Sequence, residues 1–231
     1  MQQVIRSQVG DERLLLLATL ALSSALSLVL FSFRVFYAGN TIYHFLIWNL
    51  FLAWIPLWAA LTLWVLNQRK RRSAGVMGAL LLVWFLFLPN APYLITDLVH
   101  LYSFEDIPWW YDLLMLYSFA WNGLLVGFTS LYVVQQMVGC WTNSTVGWLF
   151  AVLTIAATSF GIYLGRFLRW NSWDVLTDPS GLLFDIVHRF VDPLSHPRTL
   201  GVTLILSAFL LLAYVTITLL SRTRWVPDAQ D

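Results

Sequence analysis

The sequence is poor in charged residues and contains a single cysteine, and both shortages exclude common classes of protein. Charged residues make up 11% of the chain and the net charge is only +1, whereas about 25% of the residues in an ordinary soluble domain are charged. So small a positive charge does not neutralise nucleic-acid phosphates, which excludes nucleic-acid binding. Cys140, as the one cysteine, forms neither an intrachain disulfide nor a cysteine-cluster metal site.

The sequence also lacks the motifs of the commonest soluble enzymes. It contains no Walker loop and no G-x-G-x-x-G, G-x-S-x-G or H-E-x-x-H pattern. These absences remove the usual nucleotide-binding, serine-hydrolase and zincin interpretations.

Apolar residues, in contrast, are more frequent than a soluble fold of this size is able to bury. They account for 59% of the 231 residues, and they are concentrated in runs of the length that a membrane helix needs, about 20 residues. We therefore predict an all-α integral membrane bundle of about six transmembrane helices. The bundle forms a single domain, residues 1–231. The predicted spans are residues 14–33, 42–66, 76–101, 113–137, 145–168 and 200–220.

The basic residues indicate how the helices are oriented. The most basic loop, Arg69–Arg72, lies between the second and third helices, and cytoplasmic loops carry such clusters. This places both termini in the cytoplasm and the protein in the cell (inner) membrane. The connections after the third and fifth helices then lie outside, and residues 181–191 are predicted to form an amphipathic helix in the outer interface.

The third helix carries the sequence Pro89-Asn90-Ala91-Pro92, which predicts a break. We expect Asn90 to cap a second helical segment, on which Tyr93, Asp97 and His100 share a face at i, i+4 and i+7. Broken helices often mark ligand sites, so these three residues are candidate catalytic residues. The alternative is a proline kink beyond which Asp97 and His100 are simply solvated.

An Asp-x-x-His pattern occurs twice on the predicted outer side. Asp97 and His100 form one pair, and Asp185 and His188 form the other. Two such pairs supply four ligands of the kind that zinc, iron or manganese takes, so a site for one divalent transition metal is a hypothesis. The alternative is that Asp185 and His188 belong only to the polar face of the short outer helix.

Arginines at the outer end of the fifth helix run against the usual charge distribution. Arg166, Arg169 and Asp174 are candidate substrate-binding residues, since arginine binds phosphates and carboxylates through paired hydrogen bonds. Arg166 and Asp174 share a helical face if the helix continues. The alternative is that the arginines reach toward the lipid head groups without binding a substrate.

Asn122, near the middle of the fourth helix, is the remaining candidate for substrate binding. An amide at membrane depth needs a hydrogen-bonding partner. The neighbouring Gly123 and Gly127 form a G-x-x-x-G step, and helix–helix packing explains all three residues without a site.

Several of these segments resemble the signature of an uncharacterised prokaryotic family, domain of unknown function thirteen-sixty-one. The resemblance covers about residues 75–220 and includes the segments 87–93, 96–98, 100–101, 111–114, 118–123 and 165–174. It implies a polytopic protein of a bacterial inner membrane, and it implies no established activity, substrate or cofactor.

Two kinds of function fit these features. One is an enzyme whose site opens to the extracytoplasmic face and acts on an anionic lipid or a lipid-linked substrate, with or without a metal. In it, Asp97 or His100 serves as general base or metal ligand. The alternative is a small transporter, or an accessory or assembly subunit that binds a protein partner or a second copy of the chain.

Overall fold

The computed structural model describes residues 2–69, 73–101 and 107–223, and within these ranges its regular secondary structure is entirely helical. The α-helices are α1 Gln2–Ala38, α2 Phe45–Gln68, α3 Ala74–Phe87, α4 Asn90–Tyr93, α5 Trp109–Trp141, α6 Ser144–Leu168, α7 Asp174–Thr177, α8 Pro179–Val191 and α9 Pro197–Arg222. A 3₁₀ helix, Leu94–His100, follows α4.

Six of these segments are long and apolar enough to cross a membrane, as predicted. They correspond to α1, α2, the combined stretch Ala74–His100, α5, α6 and α9. The helices α1 and α5 extend several residues beyond the predicted spans at both ends. The predicted outer helix corresponds to α8. The orientation stays a prediction, and Lys70, Arg71 and Arg72 lie outside the described residues.

The chain divides into two compact units, Met1–Met137 and Val138–Asp231. Unit 1 contains α1 to α4, the 3₁₀ helix and most of α5, and unit 2 contains α6 to α9. In unit 2, α6 packs along α9, and α8 contacts α6 through Phe190 and Phe160, whose ring centroids lie 5.2 Å apart. Whether the two units act as a single domain stays a prediction.

The break in the third spanning segment is confirmed, but its local geometry differs from the prediction. The segment α4 begins at Asn90 rather than Ala91, and Asn90 does not cap it. The Nδ2 atom of Asn90 instead donates to the Phe87 carbonyl at 3.0 Å. That carbonyl lacks its usual partner because the Ala91 N–H bonds to Leu88. The amide therefore satisfies a backbone group that the break leaves open.

The segment after α4 is a 3₁₀ helix rather than an α-helix, which changes the predicted common face. A 3₁₀ helix has three residues per turn, so its side chains align at i and i+3. Asp97 therefore aligns with Leu94 and His100, and Tyr93 is not on that face. Leu94 and Asp97 are both buried.

The broken segment packs closely against two glycines of α5. A Cβ atom on Gly123 would overlap the Ala91 carbonyl oxygen and lie 2.6 Å from Cδ1 of Leu94. A Cβ on Gly127 would lie 2.9 Å from that of Ala91. The predicted packing role of Gly123 and Gly127 is confirmed. Their lack of a side chain allows the broken third segment to pack directly against α5.

Candidate functional site

Asp97 is buried, with 1% of its surface exposed, at the end of unit 1 where α2 begins and the 3₁₀ helix finishes. Asn49, one turn into α2, donates from Nδ2 to Oδ2 of Asp97 at 2.8 Å. Burying a carboxylate without a hydrogen-bonding partner is costly, so this hydrogen bond offsets part of the cost of burying Asp97. The bond also ties the broken segment to α2.

A second buried polar group lies at the same end of unit 1. Arg34, in α1, pairs with Asp112, in α5, with Nε 3.1 Å from Oδ1, and both side chains are almost fully buried. Arg34 also donates from Nη1 to the side-chain oxygen of Asn40, and its guanidinium stacks over the Tyr43 ring with Cζ 4.6 Å from the centroid. The guanidinium is thus held by an ion pair and a hydrogen bond at its edges and by an aromatic ring on one face.

Tyr43 links this ion pair to the end of the broken segment. Its hydroxyl donates to the His100 carbonyl at 3.1 Å. The His100 ring packs edge-on against Phe45, with centroids 5.1 Å apart. His100 is half-buried, as is Tyr93. The outer end of unit 1, as oriented by the prediction, is therefore held together by polar contacts that join α1, α2, α5 and the 3₁₀ helix.

Sequence reasoning missed Arg34. The first predicted span ends at residue 33, so Arg34 lies just outside it and is not among the predicted site residues. A lone arginine at the predicted outer end of a spanning helix, where basic residues are scarce, was the signal. Its partner, Asp112, is 78 residues away, and no local pattern pointed to it.

Asn122 joins α5 to α1 inside unit 1. Its Nδ2 atom lies 2.8 Å from Oγ of Ser27 and 3.0 Å from the Ser23 carbonyl. Its Oδ1 accepts from Ser24, whose hydroxyl in turn accepts from the Trp54 indole. These are the contacts expected of a helix-packing residue. A role in substrate binding stays a prediction.

In unit 2, Asp185 accepts two side-chain hydrogen bonds. The Trp170 indole donates to Oδ2 at 2.7 Å, and Nη1 of Arg189 donates to Oδ1 at 2.8 Å. Burial alone would raise the pKa of the Asp185 carboxyl, but the bonds from Trp170 and Arg189 outweigh it and the pKa is lowered. Asp185 is therefore engaged in holding α8 against the segment after α6.

Arg169 ends α6 in a left-handed conformation, with φ of 64°. The backbone N–H groups of Arg169 and Trp170 both donate to the Leu164 carbonyl. These hydrogen bonds close the last turn of the helix. Arg169 is the one non-glycine residue with positive φ in the described part of the chain. Such conformations are strained and concentrate at functional sites.

Because α6 stops at Leu168, Arg166 and Asp174 do not share a continuous helical face. Oδ2 of Asp174 accepts from the Asn171 backbone N–H at 2.7 Å, and Oδ1 accepts from the Thr177 hydroxyl at 3.0 Å. The backbone hydrogen bond from Asn171 is the main cause of a lowered pKa of the Asp174 carboxyl. Asp174 thus organises the turn into α7. Its predicted contact with a substrate stays a prediction.

The structure adds Arg198, which sequence reasoning did not select. Arg198 lies in the first turn of α9, and its guanidinium stacks over the Phe167 ring of α6 with Cζ 4.3 Å from the centroid. This contact brings the start of α9 to the end of α6, where Arg166 and Arg169 lie. Arg169 and Arg198 are exposed, and neither is ion-paired with a carboxylate of the described residues.

No group of three or more His, Cys, Asp or Glu side chains is arranged to hold a metal ion in ranges 2–69, 73–101 and 107–223. Two of the four predicted ligands are carboxylates, and each already accepts a hydrogen bond from another side chain. Asp97 accepts from Asn49, and Asp185 accepts from Trp170. A metal bound by Asp97, His100, Asp185 and His188 together stays a prediction.

Six long apolar helices, one of them broken by prolines, define a multi-pass helical membrane protein. A family model described as "Protein of unknown function (DUF1361)" matches residues 48–213, which is well over half of the chain. The protein belongs to this family, as the resemblance implied. No curated protein and no solved structure matches the chain.

Proposed function

We propose that the protein acts at the outer leaflet on an anionic lipid or lipid-linked substrate, whose head group is held by Arg169 and Arg198 together with Arg166. The observation that carries this proposal is the stacking of Arg198 on Phe167. It joins arginines from two spanning helices at one end of unit 2.

The position and chemistry of the arginines favour an anionic head group. They lie at the ends of α6 and α9, where a spanning helix reaches the level of the lipid head groups. A guanidinium binds a phosphate or carboxylate through two parallel hydrogen bonds. Since Arg169 and Arg198 have no carboxylate partner in the described residues, their charges remain available to an anion. The strained backbone of Arg169 further favours a functional role.

For unit 1 we propose a separate role, in which Asp97 takes part in proton transfer, with Tyr93 and His100 beside it in sequence. Asp97 is the buried carboxylate of the broken segment, and a group that is costly to insert is most readily explained by a function. In an enzyme of this kind, the carboxylate accepts a proton from the attacking group as general base. Asn49 fixes its orientation.

Replacing both Arg169 and Arg198 by glutamine should weaken the binding of an anionic lipid about thirtyfold, because each basic residue near an anionic lipid contributes about 1 kcal/mol. The measurement is titration of the detergent-solubilised protein with fluorescent short-chain phosphatidylglycerol, compared with phosphatidylcholine of the same chain length. The matched control is Arg13→Gln, since Arg13 also stacks on an aromatic ring, with Cζ 4.8 Å from the centroid of Trp64. A loss of about fivefold in the control, which removes one charge rather than two, would mean that only overall charge matters, and no loss in the double variant would contradict the lipid site.

Replacing Asp97 by asparagine should abolish the lipid conversion and leave the fold intact, because asparagine keeps an oxygen that accepts from Asn49. The measurement is the profile of anionic lipids, by mass spectrometry, in cells that produce each variant. The sharper test is the exchange Asn49→Asp with Asp97→Asn, which keeps the hydrogen bond and the charge but moves the carboxylate to α2. We expect this exchange to keep the thermal stability of the wild type and not to restore the lipid profile. A wild-type profile identical to that of vector cells, or full recovery by the exchange, would contradict a catalytic Asp97.

A further inference from the structure

His188, near the end of α8, and His196, the residue that precedes α9, have ring nitrogens that face each other. Nδ1 of His188 lies 2.8 Å from Nε2 of His196, and the ring centroids are 5.0 Å apart. At this distance one nitrogen donates its proton to the lone pair of the other. The His188 ring also stacks on Phe184, one helical turn earlier, with centroids 5.8 Å apart.

We propose that His188 and His196 form a binding site for a divalent transition cation such as Zn²⁺ or Cu²⁺, which replaces the proton shared by the two rings. Imidazole nitrogens bind zinc at about 2.0–2.1 Å, so two of them on a tetrahedral ion lie about 3.3 Å apart. The observed pair has to widen by only about 0.5 Å to reach that spacing. Small side-chain rotations suffice, because His188 is exposed and His196 is half-buried.

A carboxylate close to the pair favours a cation over a purely structural hydrogen bond. Asp192 follows His188 by four residues, and its Oδ1 accepts from the Ser195 N–H at 3.3 Å. The hydrogen bonds from Ser195 lower the pKa of the Asp192 carboxyl, and His196 and His188 lower it further. Asp192 also precedes His196 by four residues, so it adjoins both histidines in sequence, and its negative charge attracts a dication. Since no three-residue ligand group is preformed in the described ranges, water completes the coordination.

This pair differs from the ligand set predicted from the sequence. The predicted set combined His188 with Asp185, whose carboxylate is instead bound by Trp170 and Arg189. His196 is eight residues from His188 and belongs to no repeated pattern. The pair also lies outside the six spanning segments and does not depend on the proposed lipid site.

Isothermal titration of the full-length, detergent-solubilised and untagged protein with Zn²⁺ tests the proposal. We expect one equivalent to bind, and we expect His188→Gln and His196→Gln each to weaken binding by more than about tenfold, since even the loss of an outer-shell partner costs that much. The matched control is His44→Gln, which removes an exposed histidine of unit 1 whose Nδ1 lies 3.0 Å from the Thr41 carbonyl. The control should bind Zn²⁺ as the wild type does.

Electron paramagnetic resonance of bound Cu²⁺ gives an independent readout on the wild type itself. We expect coupling to two imidazole nitrogens in the wild type and to one in either variant. Unchanged thermal unfolding without metal shows that the variants are folded. The absence of Zn²⁺ binding, equal affinity in the wild type and both variants, or a one-nitrogen Cu²⁺ spectrum in the wild type would overturn the proposal.

Discussion

Replacing Arg34 by methionine should lower the free energy of unfolding by about 3–5 kcal/mol, because it leaves the Asp112 carboxylate buried without its partner. The two charges are 3.1 Å apart and almost completely shielded from solvent. Removing one charge leaves the other buried and unpaired in surroundings of low polarity, which is energetically unfavourable. The effect is measured by unfolding the purified variant with SDS in mixed micelles.

The double variant Arg34→Met with Asp112→Leu separates charge from packing. Replacing both members of a buried pair by apolar residues of similar volume is often neutral or stabilising, so we expect the double variant to recover most of the stability. Part of the loss should persist, because Asn40 and Tyr43 also lose their contacts with the guanidinium.

The matched control for this experiment is Arg13→Met. Arg13 is exposed and stacks on Trp64, and it forms no ion pair within the part of the chain that the structure describes; such exposed stacking contributes about 0.5–1 kcal/mol. A loss for Arg34→Met no larger than that of the control would mean that the ion pair is solvated in the membrane protein and does not hold α1 to α5.

The ion pair also shows where sequence reasoning reached its limit. Six spans were predictable because the length of each apolar run alone indicates a transmembrane helix. The break was predictable because proline disrupts the helical hydrogen bonds of the residues next to it. The pairing of Arg34 with Asp112 joins residues that are distant in sequence, so no local pattern specifies it. The same holds for Arg198 and Phe167, which meet only because α9 packs on α6.

Local geometry was also only partly predictable. Prolines indicate a break, but they do not determine whether the chain continues as an α-helix or as a 3₁₀ helix, because the φ and ψ angles of the two helices are similar. That choice moved Tyr93 off the face of Asp97 and His100. Asp97 is conspicuous in the sequence because it is an acidic residue at the end of an apolar segment, whereas its partner Asn49 depends on the packing of α2 against the broken segment.

Replacing Gly123 by alanine should destabilise unit 1 by about 1–3 kcal/mol or more, the range for overfilling a packed site. The added methyl group would overlap the Ala91 carbonyl oxygen and crowd Leu94. Since the first of these contacts is with backbone, no change of rotamer relieves it, and the broken segment has to move away from α5. SDS unfolding in mixed micelles measures the loss.

Two further glycines of the same helix make the test specific to the contact. Gly139→Ala is the control, because a Cβ there meets no atom within 4 Å, and no loss is expected. At Gly127 the nearest atom is the Ala91 Cβ, at 2.9 Å, so Gly127→Ala should lose less than Gly123→Ala and should be rescued by Ala91→Gly. The same second change should fail to rescue Gly123→Ala, whose clash is with the carbonyl oxygen that glycine retains. Equal losses at Gly123 and Gly139 would mean that glycine content alone, and not the close approach of the broken segment, governs the stability of α5.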